Sequence, residues 1–221
     1  MSMGTILLLI AGLLILFGAG QRVLDRLRLT DREAILYIAL MIAGGFLPDI
    51  RLTEAFAFNV GGALIPIVLC LRLFLLADTG AERVRAALAP IVTAAAVYAL
   101  GRWLPADPAE MIVDPNYIYG VAAGVIAYVF GRSRRCAFIA GVLGVTLANV
   151  AAWLTVRAQG VPQALALGGA GAYDVIVLSG LIAVLLAELI GEAIERAARG
   201  RRRPLRVYQG GDFRKEGEPH A

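Results

Sequence analysis

The 221-residue chain has a mean hydropathy of +0.75 and is 59% hydrophobic, which excludes an ordinary soluble domain and places it in the membrane class. Its net charge of +4 does not mark a nucleic-acid binder, because the arginines lie between apolar runs rather than on one face of a domain. Two cysteines, Cys70 and Cys136, are too few for a disulfide framework or a metal knuckle, and the single histidine, His220, excludes a His-ligated metal or haem, so no metal site and no cofactor is expected.

Seven apolar segments are predicted as membrane helices, over 4–20, 31–47, 53–77, 81–104, 115–131, 135–156 and 173–195. A helix crossing ~30 Å of hydrocarbon needs roughly 20 residues, so the second and fifth are short. The first reads as a retained helix rather than a signal peptide ending near Gly20, because it lacks a basic n-region. Residues 21–29 set Val23, Leu24 and Leu27 among arginines, as in a helix lying on the inner leaflet. Thr30 with Glu33, and Thr79 with Glu82, have capping-box spacing ahead of apolar runs. The third segment contains Asn59-Val60-Gly61-Gly62-Ala63-Leu64-Ile65-Pro66, where Pro66 removes a helical amide bond and the paired glycines weaken the same turn; this predicts a kinked or partly unwound span. Asp114 and Pro115 supply an N-cap and a first-turn proline for the fifth helix. Small residues recur at helical spacing in the last three helices, among them Gly120, Gly124, Gly141, Ala148, Gly180 and Ala183, which predicts close backbone packing.

Basic residues set an orientation. With the N-terminus outside, 18 of the 21 fall inside, and only Arg51, Arg102 and Arg157 fall outside. The polar residues Asp49, Glu54, Asn59, Asp114, Asn116, Asn149 and Asp174 then all lie toward the outer side. Most have an ordinary reading: Asp114 as a cap, Glu54 as a complement to a helix dipole, Asp49 in a Pro-Asp turn, Thr146 and Asn149 bonded across to a neighbouring helix. Glu192 and Arg196 have the spacing of a helical ion pair. Asp174 stands apart. It follows Gly168-Gly169-Ala170-Gly171, a run able to form irregular backbone at membrane depth, where a carboxylate is expensive.

The stretch from Asn59 to Pro66, together with Gly168-Gly169-Ala170-Gly171-Ala172-Tyr173-Asp174 and the following Leu178-Ser179-Gly180-Leu181-Ile182-Ala183, resembles the domain-of-unknown-function family 1614, multi-pass membrane proteins of bacteria and archaea. The resemblance covers roughly residues 30–195 and implies no established activity. It does imply an acidic residue late in the helix before the Gly-rich motif, near Asn149. That layout is similar to intramembrane aspartyl proteases, in which two carboxylates share a proton. This chain carries Asn149 at that place, and the spacing selects neither Asp114 nor Asp49 as a substitute.

The sequence therefore predicts an all-α, polytopic membrane helix bundle of about seven transmembrane helices in the bacterial inner membrane, N-terminus outside and C-terminus cytoplasmic. Residues 1–196 form the transmembrane domain and 197–221 a disordered basic tail. The leading function is binding or translocating a small solute or ion through an outer-half polar site. Asp174 carries the charge there, Asn59 and Asn149 are polar ligands, Glu54 stands at the mouth, and Gly61, Gly62 and Gly171 provide irregular backbone. One alternative is an intramembrane aspartyl-type hydrolase using Asp174; another is a non-catalytic scaffold subunit. The balance is against an enzyme. Expected partners are the lipid bilayer, a small solute or ion, and a homo-oligomer or membrane complex, with no nucleic acid.

Overall fold

The computed structural model of the chain describes residues 3–18, 21–103 and 115–209. In order, the elements are α1 (Met3–Leu16), α2 (Gln21–Leu27), α3 (Asp31–Gly45), β1 (Ile50–Thr53), β2 (Phe56–Phe58), a π-helical turn (Val60–Leu64), α4 (Ile65–Leu75), α5 (Gly80–Trp103), α6 (Pro115–Gly131), α7 (Arg134–Ala158), β3 (Leu165–Leu167) and α8 (Ala170–Gln209). The chain divides into two compact units, Met1–Ala187 and Glu188–Ala221. In the second, Arg196 donates to Glu192 at 2.7 Å. The loop around Asp114 and the last part of the expected tail, 210–221, lie outside the described residues.

The expectation of seven membrane crossings is corrected. Among the described residues, three helices are long and apolar enough to cross a bilayer: Gly80–Trp103, Arg134–Ala158 and Val175–Ile194. The helices α1, α3 and α6 have 14, 15 and 17 residues, short of the roughly 20 that a crossing needs. The expected span over 53–77 departs most. It divides into a β-hairpin, the π-helical turn and an α4 of only 11 residues. The cause is local: the Asn59 side chain accepts a bond from the Gly62 amide, as a cap does, and Pro66 opens the regular helix beyond it. The inside–outside assignment rests on all seven crossings, and the three candidate spans do not test it. What stands is a mostly helical protein with long apolar helices, consistent with membrane association.

Three short strands, absent from the all-α expectation, form a sheet in the order β1-β2-β3. Strand β2 pairs antiparallel with β1 and parallel with β3, with Phe58 opposite Leu167. The parallel register carries the two Gly-rich motifs out of the sheet side by side. There the backbones touch. A Cβ on Gly62 would lie 1.9 Å from the Gly168 carbonyl oxygen, and one on Gly168 would lie 2.3 Å from the Gly62 carbonyl carbon. Gly168 also has φ +71°, a left-handed conformation that glycine adopts without steric cost. Gly61 makes the same kind of approach to α3, where its Cβ would fall 2.1 Å from the Met41 carbonyl oxygen. Four glycines, Gly44, Gly61, Gly62 and Gly168, thus let three segments meet at backbone distance.

Helices α5, α6 and α7 pack on one another, and the first turns of α8 lie against α6 and α7. The small-residue stripes are where they meet. Gly120 and Gly124 face Leu178 and Ile182, and Gly141 faces the Ser179 carbonyl, while the Ser179 hydroxyl donates to the Gly141 carbonyl at 3.1 Å. Close backbone approach with interhelical hydrogen bonds such as that of Ser179 is how apolar helices adhere where hydrophobic exclusion contributes little. At the end of the bundle where α5 and α7 begin, Arg135 binds Asp78 and Glu82, Arg28 also binds Asp78, and Arg72 binds Glu33. The Arg135 guanidinium beside Asp78 holds that carboxyl below its usual range. The Thr30 and Glu33 capping box is formed as the sequence predicts.

Because the contact is between backbones, no side-chain rotation can relieve a substitution there. Gly62→Ala and Gly168→Ala are expected to cost about 3 kcal/mol or more each, lowering the thermal midpoint by roughly 6–12 °C or removing the folded fraction altogether. Gly80→Ala meets nothing within 4 Å and should be neutral or slightly stabilising. Circular-dichroism melts of the three variants in detergent make the comparison; equal melts for Gly62→Ala and Gly80→Ala would contradict the contact.

Candidate functional site

Asn59 sits where β2 ends and the π-helical turn begins, and it is 5% exposed. Its amide is fully employed. The backbone N–H donates to the Leu167 carbonyl at 2.8 Å, which extends the parallel pairing. The side-chain oxygen accepts from the Gly62 amide at 2.9 Å, and the side-chain nitrogen donates to the Leu47 carbonyl at 3.1 Å and to Asp49 Oδ1 at 3.0 Å. A buried amide with both N–H groups used has no donor left for a ligand. Asn59 ties α3, the sheet and α4 together.

A separate polar cavity of about 440 Å³ opens between α5, α6 and α7, with Val175 of α8 on its wall. That volume is in the range of small-molecule sites. Its floor is apolar and buried, formed by Val97, Val145, Ala148 and Val175. Its polar groups come from three helices: Tyr98 and Arg102 on α5, Asn116 and Tyr119 on α6, and Asn149, Thr155 and Gln159 on α7. Tyr98 and Thr155 share a hydrogen bond of 3.0 Å between their hydroxyls, and Arg102 donates to the Tyr98 hydroxyl at 3.1 Å. The guanidinium also lies 5.9 Å from the centre of the Tyr98 ring, which adds a cation–π attraction. Asn149 is half-buried and makes no hydrogen bond with any described residue.

The same turns of α7 connect the cavity to the sheet. Trp153 donates to the Gln163 carbonyl at 2.9 Å and packs against Phe56 of β2. Asn149, Ala152, Thr155 and Val156 face the cavity instead. A second cavity, of about 200 Å³, is lined by apolar side chains such as Leu8, Leu24, Met41 and Phe138 and offers no polar chemistry.

The residues predicted as ligands do not converge. Asn149 lines the polar cavity, while Asn59, Gly61 and Gly62 build the glycine junction. Glu54 lies in the turn between β1 and β2 and is exposed. Gly171 and Asp174 belong to the first turns of α8, and their side-chain surroundings lie outside the described residues. Of the carboxylates considered as partners for Asp174, Asp49 is exposed and accepts from Asn59, and Asp114 is not among the described residues. No catalytic carboxylate pair is evident among the described residues, and none of their His, Cys, Asp and Glu side chains group in threes or more to hold a metal ion. Sequence reasoning missed Tyr98, Arg102, Thr155 and Gln159. The available signal was spacing: Tyr98 and Arg102 are one turn apart, and Asn149, Ala152 and Val156 recur on one face of α7.

The two asparagines should behave differently. Asn59→Ala removes a cap and leaves the Gly62 amide and the Leu47 carbonyl without their partner, so it is expected to destabilise the fold by about 2 kcal/mol or more. Asn149→Ala breaks no bond to a described residue and should change the melting midpoint by less than about 2 °C. Thermal melts of both variants decide it; a large loss at Asn149 would make it structural too.

The family described as "Protein of unknown function (DUF1614)" matches residues 23–186, a span that takes in the sheet, the glycine junction and the polar cavity. No curated protein and no solved structure gives a match. With the match running over most of its length, the chain belongs to the DUF1614 family.

Proposed function

We propose that the protein lies in the bacterial inner membrane and binds or translocates a small polar solute or ion in the cavity between α5, α6 and α7. The observation that carries this reading is Asn149: a half-buried amide, unbonded within the described chain, on the wall of a polar cavity of about 440 Å³. A polar side chain on a long apolar helix is costly unless a partner or water meets it, so its retention beside a cavity argues for a wet, occupied space. Exposed Leu88, Ile91 and Leu154 on α5 and α7 suit an outer surface turned to lipid. Of the sequence-derived ligands this reading keeps Asn149 and gives Asn59, Gly61 and Gly62 the work of building the junction.

Water access is the first requirement, and cysteine labelling tests it. In a background with Cys70 and Cys136 replaced by alanine, Asn149→Cys and Ala152→Cys should react with a charged, membrane-impermeant methanethiosulfonate reagent in native membranes. Leu154→Cys, exposed but away from the cavity, should react only with a lipid-soluble maleimide. Labelling of Asn149→Cys by the lipid-soluble reagent alone would overturn the solute reading.

A further inference from the structure

We infer that the solute is an organic anion, whose carboxylate or phosphate oxygens are taken by Arg102. This rests on the reading of the cavity as a solute site and names the chemistry of its ligand. Among the described lining residues, Arg102 is the single formal charge and no carboxylate joins it. Nor does Arg102 form an ion pair with any described acidic residue; its hydrogen bond goes to a neutral phenol.

The helix ends do not reverse this sign. Helices α5 and α7 terminate at this end of the bundle while α6 begins there, and Val175 places an early turn of α8 on the wall. Helix termini contribute roughly half a charge each, negative where helices end and positive where they begin, so they largely offset one another. The guanidinium, exposed at the end of α5, then carries the one full charge among the described lining residues.

The arginine is also held in place. Tyr98 takes one guanidinium N–H and offers its ring face, and Thr155 on the adjoining wall of α7 fixes the Tyr98 hydroxyl. A guanidinium has five N–H donors, so the bond to Tyr98 leaves a pair free for a planar oxyanion. Neutral groups complete the lining: Asn149 and Gln159 from α7, with Tyr119 opposite on α6, suit hydroxyl or carbonyl groups on the body of the ligand. A bare halide would use neither the fork nor the amides. A small oxyanion with a polar body uses both.

The test uses the full-length protein in detergent, with thermal shift and titration calorimetry at constant ionic strength. The probes are inorganic phosphate, succinate and choline. The inference expects saturable binding of phosphate or succinate, and the anion that binds tells which oxyanion the site reads. Arg102→Gln should weaken that binding at least tenfold, with Arg102→Lys recovering part of it because a point charge replaces the fork. Tyr98→Phe, which keeps the ring but frees the guanidinium, should weaken it a few-fold. Arg157→Gln, an exposed arginine stacked on Trp153 and not on the cavity wall, should bind as the parent does. Equal losses in Arg157→Gln and Arg102→Gln would mean diffuse charge attraction and overturn the inference. Choline binding that survives Arg102→Gln but is lost in Asn149→Ala would overturn the anion class and leave the solute site standing. If none of the three probes binds, the anion inference fails; the cysteine labelling at Asn149 then shows separately whether the solute site stands.

Discussion

Two peptide backbones meet without side chains between them at Gly62 and Gly168, and the rest of the architecture depends on that contact. An alanine at either place would drive a methyl group into the opposing backbone. Removing the methyl groups lets β2 and β3 run parallel into two different helices, α4 and α8. Gly61 and Gly44 do the same for α3, so three elements distant in sequence are fixed at one end of the bundle. Short strands and a π-helical turn would leave polar backbone exposed in a lipid setting. Here β2 is paired on both sides within the protein, and the Asn59 side chain binds the Gly62 amide and the Leu47 carbonyl.

That junction also determines where the cavity is. Trp153 binds α7 to the loop before β3 and to Phe56 of β2, which fixes the rotation of α7 near its end. With Trp153 turned to the sheet, Thr155, two residues on, turns away from it toward α5, and Asn149, one turn before Trp153, lines the edge of the cavity nearest the sheet. The Tyr98–Thr155 hydrogen bond closes one side of the space and Tyr119 and Asn116 line another. Structural and chemical duties are therefore divided between the two asparagines. Asn59 has its amide used by the fold, and Asn149 keeps its amide for the cavity.

Much of this was legible in the sequence, and the part that was not has physical reasons. The capping box at Thr30 could be read because its chemistry is local, a hydroxyl and a carboxylate three residues apart. The break at Gly61, Gly62 and Pro66 could be read for the same reason, and its π-helical form is a detail of how the Asn59 cap meets the first turn of α4. The count of crossings could not. Apolar content alone treats 53–77 as one span, although Phe56-Ala57-Phe58 forms a strand whose partner is Leu165-Ala166-Leu167, over a hundred residues away. Segments of three residues carry no periodicity to reveal such pairing. The cavity was hidden in a different way. Its polar residues are spread over three helices, and only the rotation of each helix, set by Trp153 and the small-residue contacts, brings Arg102, Asn116 and Asn149 to one space.

The parallel pairing of β2 with β3 carries Asn59 and Gly168 to adjacent places, and cross-linking the two strands probes it. With Cys70 and Cys136 replaced by alanine, the double variant Ala57→Cys with Ala166→Cys places two thiols on directly paired residues of β2 and β3. Mild copper-phenanthroline oxidation in native membranes should close an intramolecular disulfide rapidly, because paired strand residues lie within the ~4.4–6.8 Å Cα separation a disulfide requires. The pair Leu52→Cys with Ala166→Cys joins β1 to β3, which are not neighbours in the sheet, and should stay reduced. Cross-linking of the second pair with none in the first would contradict the strand order, and with it the glycine junction.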